Sequence, residues 1–265
     1  MRKKTFFISG LPRSGSTLLC NVLCQNPNFK ATQSSAMLEA MFAIRNQWDK
    51  WVEHRAMDEG TSEAKKLQVL RGIFYTYHVE YKEPVIFDKS RGWLAHLELA
   101  EYVLGEKAKV LVPVRDVRDI LASFESLWRE TSDKRQLEIE SANYFRMQTV
   151  AGRCEMWSRE DQPVGLAYNR VKDALQRGFR DRMHFVPYER FTRNPERVMK
   201  DIYNFLGEEY YPHDFNNVEQ VIWEDDRAHG MKLHNIRPKI EPQESRWPQI
   251  LGDEVGRKYA GLELW

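Results

Sequence analysis

Short apolar bursts and stretches of helical period alternate along the chain. Phe6, Phe7 and Ile8, with Thr5 before them, form a buried-strand burst that stops at Gly10. Leu18, Leu19, Val22 and Leu23 then recur at helical spacing. The same alternation returns three times. Pro84-Val85-Ile86-Phe87-Asp88 precedes the helical positions Leu94, Leu97, Leu99 and Val103, which run toward Gly105. Lys109-Val110-Leu111-Val112-Pro113-Val114 precedes a helical region from Ile120 to about Trp157, with a polar break at Thr131-Ser132-Asp133. Met183-His184-Phe185-Val186-Pro187 precedes Val198, Ile202, Phe205 and Leu206, which stop at Gly207. Glycine after the last periodic residue is a helix stop, and Asn194-Pro195 and Gln162-Pro163 are helix starts. Strands separated by helices predict an α/β fold, a parallel sheet flanked by helices in three α/β/α layers.

Two regions depart from this rhythm. After the turn at Asn26-Pro27-Asn28, a polar run at residues 30–35 reads as a loop. It leads into a helical insertion at about 36–82, where Met37, Leu38, Met41, Phe42 and Ile44 share a face and a second helix carries Leu67, Leu70, Ile73, Phe74 and Tyr77. This pair either walls a pocket or is plain core. From Tyr210 to the end the residues read as an irregular C-terminal segment, rich in Pro, His, Trp and charge. The whole of 1–265 is expected to be one domain.

Composition narrows the function. Forty Lys and Arg nearly cancel 39 Asp and Glu, which argues against a general nucleic-acid or membrane binder, so any anion site must be local. No apolar stretch approaches a membrane span, and the four-residue burst after Met1-Arg2-Lys3-Lys4 is too short for a signal sequence. Cys20, Cys24 and Cys154 lack metal-ligand spacing and read as reduced thiols, so a cytoplasmic location is expected. The histidines, His213, His229 and His234 among them, give no ligand spacing, and no metal is expected. His96 faces either a pocket or the core.

The first burst runs into Gly10-Leu11-Pro12-Arg13-Ser14-Gly15-Ser16-Thr17. Strand, glycine loop and helix make a P-loop-like element, whose backbone N–H groups and helix dipole favour a phosphate-like anion. The pattern G-x-x-x-x-G-K-[ST] is met except that Ser16 replaces lysine. No fixed cation is therefore present for the terminal phosphates of ATP, and the loop cation is Arg13. Ligands of open α/β sheets bind beyond the carboxyl ends of the strands, which draws attention to Lys89, Arg115 and Tyr188. Ser123 lies eight residues past Arg115, two turns into a helix, so the two can hold a second anion. Alternatively Arg115 pairs with Asp116 or Asp119.

GLPRSGSTLL and the distant VRDVRDILASFES resemble the two signature segments of sulfotransferases that use 3′-phosphoadenosine-5′-phosphosulfate (PAPS) and release PAP. The likeness is strongest to the tyrosylprotein sulfotransferase-like and bacterial branch: Arg13 matches its PRSG form, and Lys89 in FDKS its lysine after a strand. Tyr188-Glu189 with Asn194-Pro195-Glu196-Arg197, and Ser245-Arg246-Trp247, resemble further segments that lie by the nucleotide. The resemblance implies donor binding by Arg13, Ser14, Gly15, Ser16, Thr17, Arg115, Ser123, Tyr188 and Arg246, and catalysis by Arg13, Lys89 and a base. Where the tyrosylprotein enzymes carry a glutamate pair, this sequence has Gln33 and Ser34, so the nearest carboxylate, Glu39, is taken as the base. The expected reaction is in-line sulfuryl transfer to a hydroxyl of a small molecule, carbohydrate or peptide. A P-loop nucleotide or small-molecule kinase and a non-catalytic nucleotide-binding protein of the same fold are the alternatives.

Overall fold

The computed structural model describes residues 3–131, 143–226 and 234–265. Its sheet has five parallel strands, β1 (Lys4–Ile8), β2 (Phe29–Ser34), β3 (Val85–Lys89), β4 (Val110–Val114) and β5 (Met183–Pro187), in the order β2-β3-β1-β4-β5. Every residue of β3 and β4 is buried, as a strand covered on both faces requires. The period of two is visible in β1: Phe7 enters one core with Trp93, while Phe6 and Ile8 enter the other with Leu19 and Val22.

β2 corrects the loop expected at 30–35. Lys30, Gln33 and Ser34 give the segment a polar look, yet Phe29, Ala31 and Thr32 are buried, and Phe29 and Ala31 pair with β3 at the edge of the sheet. An edge strand with three inward side chains leaves little hydrophobic signal. Pro113 stands inside β4, between β1 and β5, where a missing N–H is usually costly. Its carbonyl accepts from Leu11 N at 2.9 Å, toward β1.

The helices follow the glycine and proline signals. α1 (Ser16–Leu23) leaves the glycine loop; α2 (Met37–Trp48), a short α3 (Val52–Arg55) and α4 (Glu59–Thr76) occupy the expected insertion. A 3₁₀ turn at Trp93–His96 leads into α5 (Leu97–Leu104), which ends at Gly105 in the left-handed region. α6 (Val117–Thr131) follows β4; the break expected at Ser132 and Asp133 lies outside the described residues. α7 (Tyr144–Met147), α8 (Val150–Trp157) and α9 (Pro163–Gln176), the last with proline in its first turn, lead to β5. α10 (Tyr188–Arg193) and α11 (Pro195–Leu206) follow β5. Among the described residues the tail is not irregular throughout: α12 (Trp247–Lys258) closes against α6. Trp247, Leu251 and Val255 form its inner side, with Pro248 in the first turn.

Candidate active site

The glycine loop is shaped by its contact with β4. A Cβ on Gly10 would lie 2.1 Å from the Pro113 carbonyl oxygen and 2.8 Å from its nitrogen, so only glycine lets the loop leave β1 there. Ser14 is buried, its hydroxyl turned inward to Leu11 O at 2.6 Å and Pro113 O at 3.0 Å. Its side chain thus braces the loop, leaving the backbone for the cradle. Gly15 is left-handed at φ 82°, and a Cβ there would meet the Tyr188 ring at 2.7 Å. Arg13 is also left-handed, at φ 57°, a conformation with a cost for a residue carrying a Cβ. Successive turns of this kind aim amides into one concavity, the geometry of an anion nest.

The residues expected to hold a second anion lie beside the loop. Arg13 Nε donates to Ser123 Oγ at 3.1 Å, and Arg115 Nη1 donates to the Arg13 carbonyl at 3.2 Å. The Arg115 guanidinium lies over the Tyr188 ring at 4.5 Å. Asp116 does not neutralise Arg115: it takes the Arg118 fork, with Nη2 at 2.6 Å. Asp119 instead accepts from Ser245 Oγ at 2.8 Å, Arg246 N at 2.9 Å and Trp247 N at 3.2 Å. That carboxylate fixes the start of α12 and brings Arg246 to the cavity rim. Arg115 Nε is buried with no hydrogen-bond partner among the described residues, an unmet donor of the kind a bound anion satisfies. Burial, with Arg115 beside it, pulls the Arg13 guanidinium below its ordinary pKa.

These residues share one cavity of about 780 Å³, lined by the loop from Gly10 to Thr17 except Ser14 and by Lys89, Arg115, Ser123, Tyr188 and Arg246. Glu39 reaches it from α2 as an exposed side chain. Lys89 ends β3 and is buried; its N–H donates to Thr32 Oγ1 at 2.9 Å. Its ammonium meets Glu224 Oε1 at 2.5 Å. The same Oε1 accepts from Ser34 N at 2.9 Å and Ser34 Oγ at 3.1 Å. A carboxylate therefore stands at the place where Gln33 and Ser34 leave none in the sequence, but it comes from the tail. Burial works to raise the Glu224 pKa, and Lys89 with Ser34 and His234 outweighs it, holding the carboxyl at about 2.

A model of the sulfotransferase family matches residues 5–212. The chain belongs to the sulfotransferase family. It is an enzyme, a sulfotransferase. Three solved structures share the fold of this sulfotransferase. The sulfotransferase domain from the curacin biosynthetic pathway is 14% identical, with a TM-score of 0.53 over 100% of this chain and 92% of its own. The sulfotransferase domain of the Synechococcus PCC 7002 olefin synthase is 17% identical, with a TM-score of 0.51 over 98% and 95%. Retinol dehydratase in a complex with retinol and PAP is 13% identical, with a TM-score of 0.50 over 99% and 80%. No curated protein matches the sequence. Among the described residues, no helix is long and apolar enough to cross a membrane, and no group of three or more His, Cys, Asp or Glu side chains is disposed to hold a metal.

Sequence reasoning missed Glu224 in this sulfotransferase because nothing local marks it. It lies 135 residues beyond Lys89, past the region that the family model matches. Trp223 and Glu224 stand among residues read as irregular, and contacts with Gln33, Ser34 and Lys89 give them a place. His96 faces a second cavity together with Phe42 rather than the cavity beside the glycine loop.

Proposed function

We propose that residues 1–265 act as one catalytic domain in which the glycine loop holds the 5′-phosphosulfate of PAPS and Arg115 with Ser123 holds its 3′-phosphate. The observation that carries this reading is the pairing of the two sites. Arg13 bonds Ser123, Arg115 bonds the Arg13 carbonyl, and the buried Arg115 Nε has no partner among the described residues. Tyr188 and Arg246 flank the same donor, and the amides of Ser14, Gly15, Ser16 and Thr17 complete the cradle.

During transfer a bond forms between the acceptor oxygen and sulfur. The bond from sulfur to the bridging oxygen breaks, its electron pair staying on the phosphate of PAP. Arg13 and Lys89 offset the charge that builds on that oxygen, a contribution of about 3 kcal/mol for one well-placed group. Glu39, an exposed carboxylate on the cavity wall, takes the acceptor proton. The scheme asks for no metal. Arg91 and Arg170 line the same cavity, and their side chains make no ion pair or hydrogen bond among the described residues. Two uncommitted arginines suit an acceptor that carries a carboxylate, sulfate or phosphate beside its hydroxyl. Free thiols at Cys20, Cys24 and Cys154 support a cytoplasmic setting.

Thermal shift with PAP against ATP plus Mg²⁺, followed by labelled-sulfate transfer to anionic and neutral hydroxyl compounds, tests the reading. PAP is expected to stabilise the protein and ATP–Mg²⁺ to leave it unchanged. Stabilisation by ATP–Mg²⁺ alone would overturn the donor assignment.

A further inference from the structure

Lys89 is the donor-side cation in this reading, yet nothing on its own strand fixes where its ammonium points. The tail does. Asn21, on α1, accepts at Oδ1 from Val221 N at 2.6 Å and Ile222 N at 2.9 Å, and its Nδ2 donates to Thr17 O at 2.8 Å. Gln33 Nε2 donates to the Trp223 carbonyl. The backbone that carries Glu224 is thereby pinned to the helix of the glycine loop and to the end of β2.

From that anchorage the Glu224 carboxylate reaches Ser34 and Lys89. Its side chain is 7% exposed and that of Lys89 10%. Behind it, Glu224 Oε2 lies 3.4 Å from His234 Nε2, and His234 Nδ1 lies 2.6 Å from Asp226 Oδ1. A carboxylate only accepts, so Nδ1 carries the proton shared with Asp226, which fixes the imidazole ring. Among the described residues, the charged and titratable groups facing Glu224 include Lys89 on β3, Arg91 just beyond it, Cys20 on α1 and His234 in the tail.

Glu224 is not on the cavity wall, whereas Lys89, Ser34 and His234 are. A group behind the wall does not meet the acceptor; it acts through what it holds. We infer that Glu224 is a positioning residue for sulfuryl transfer, a buried carboxylate from the C-terminal segment that aims the Lys89 ammonium at the donor. A lysine ammonium is a point charge on a flexible stem, so its value in a transition state depends on being held in place before the charge develops. Ser34, occupying the position where the resembling enzymes have an acid, serves here as the seat for one.

The inference rests on Lys89 acting on the donor, so the test separates the two. PAP formation from PAPS is followed with a series of substituted phenols as acceptors in the wild type, Glu224→Gln, Lys89→Ala and the double variant, alongside PAP binding by calorimetry and thermal melting. Lys89→Ala is expected to lower kcat by about 10²–10³-fold. Glu224→Gln is expected to lower kcat at least about tenfold with PAP affinity kept within about threefold, and to add nothing further in the Lys89→Ala background. Glu224→Asp, which keeps the charge but shortens the reach, should recover part of the rate and guards against a folding defect in the glutamine variant. Unchanged rates in Lys89→Ala would remove the donor-side assignment and the inference with it. If Lys89→Ala is crippled but the two losses multiply, only the positioning role falls. A Glu224→Gln loss that grows with the pKa of the phenol would assign proton transfer to Glu224 and likewise overturn it.

Discussion

Replacing Arg115 by lysine keeps the charge and removes the fork, and the structure says which ligands should notice. Two losses act on the loop whatever is bound: the Nη1 bond to the Arg13 carbonyl at 3.2 Å and the stacking on Tyr188 at 4.5 Å. A neutral acceptor and a partly exposed ring put these together at about 1.5 kcal/mol, roughly tenfold in affinity. A third loss depends on the 3′-phosphate. The Nε that now has no partner among the described residues, together with the second terminal nitrogen, would give a bidentate grip that an ammonium cannot reproduce. One charge-assisted bond of about 2 kcal/mol corresponds to roughly 30-fold. Calorimetric dissociation constants for PAP and for adenosine 5′-monophosphate, measured on the wild type and Arg115→Lys, separate the terms. The expected weakening is about tenfold for the monophosphate and about 300-fold for PAP, a ratio of about 30. Equal weakening of both ligands would show that Arg115 braces the loop and does not read the 3′-phosphate.

Gly10→Ala is expected to cost about 3 kcal/mol in urea unfolding, because its Cβ would meet backbone atoms of Pro113 that cannot swing aside. An unchanged urea midpoint would contradict the close approach of loop and β4. The Glu224 carboxyl, held at about 2 despite its burial, is depressed in the folded state, so its contribution is complete above the ordinary glutamate range and is lost as pH falls through about 2. Melting temperatures should therefore decline as pH drops from about 5 toward 2. The decline should be shallower in Glu224→Gln, and parallel curves would mean that Lys89 does not hold the carboxylate.

The grouping of the expected donor-side residues around one cavity was legible because they lie close in sequence to strand ends. Gly10, Arg13 and Thr17 sit in one loop, and Arg115 and Ser123 lie two turns apart, so strand ends and helix starts bring them together without knowledge of the rest of the chain. The failures share a physical origin. β2 hides because an edge strand needs only Phe29, Ala31 and Thr32 inside. α12 hides because its start is fixed by Asp119, a residue on another helix, and not by a cap of its own. The carboxylate at Lys89 hides because Gln33 and Ser34 offer hydrogen bonds in place of charge, and the acid that uses them arrives from the tail. Glu39 was legible as the nearest acid in sequence and does line the cavity, but sequence distance gave no hint of Glu224.

The ion pair between Lys89 and Glu224 also bears on how this chain is made. Synthesis delivers the glycine loop, β3 and β4 long before residue 224, and domains tend to fold as their segments emerge. Until the tail arrives, the buried end of β3 holds an ammonium without its carboxylate, which opposes closing that end of the sheet. The anion cradle can therefore take shape early on the ribosome while the sheet end beside it stays unsettled. Closure of that end of the sheet then waits for residue 224 to emerge.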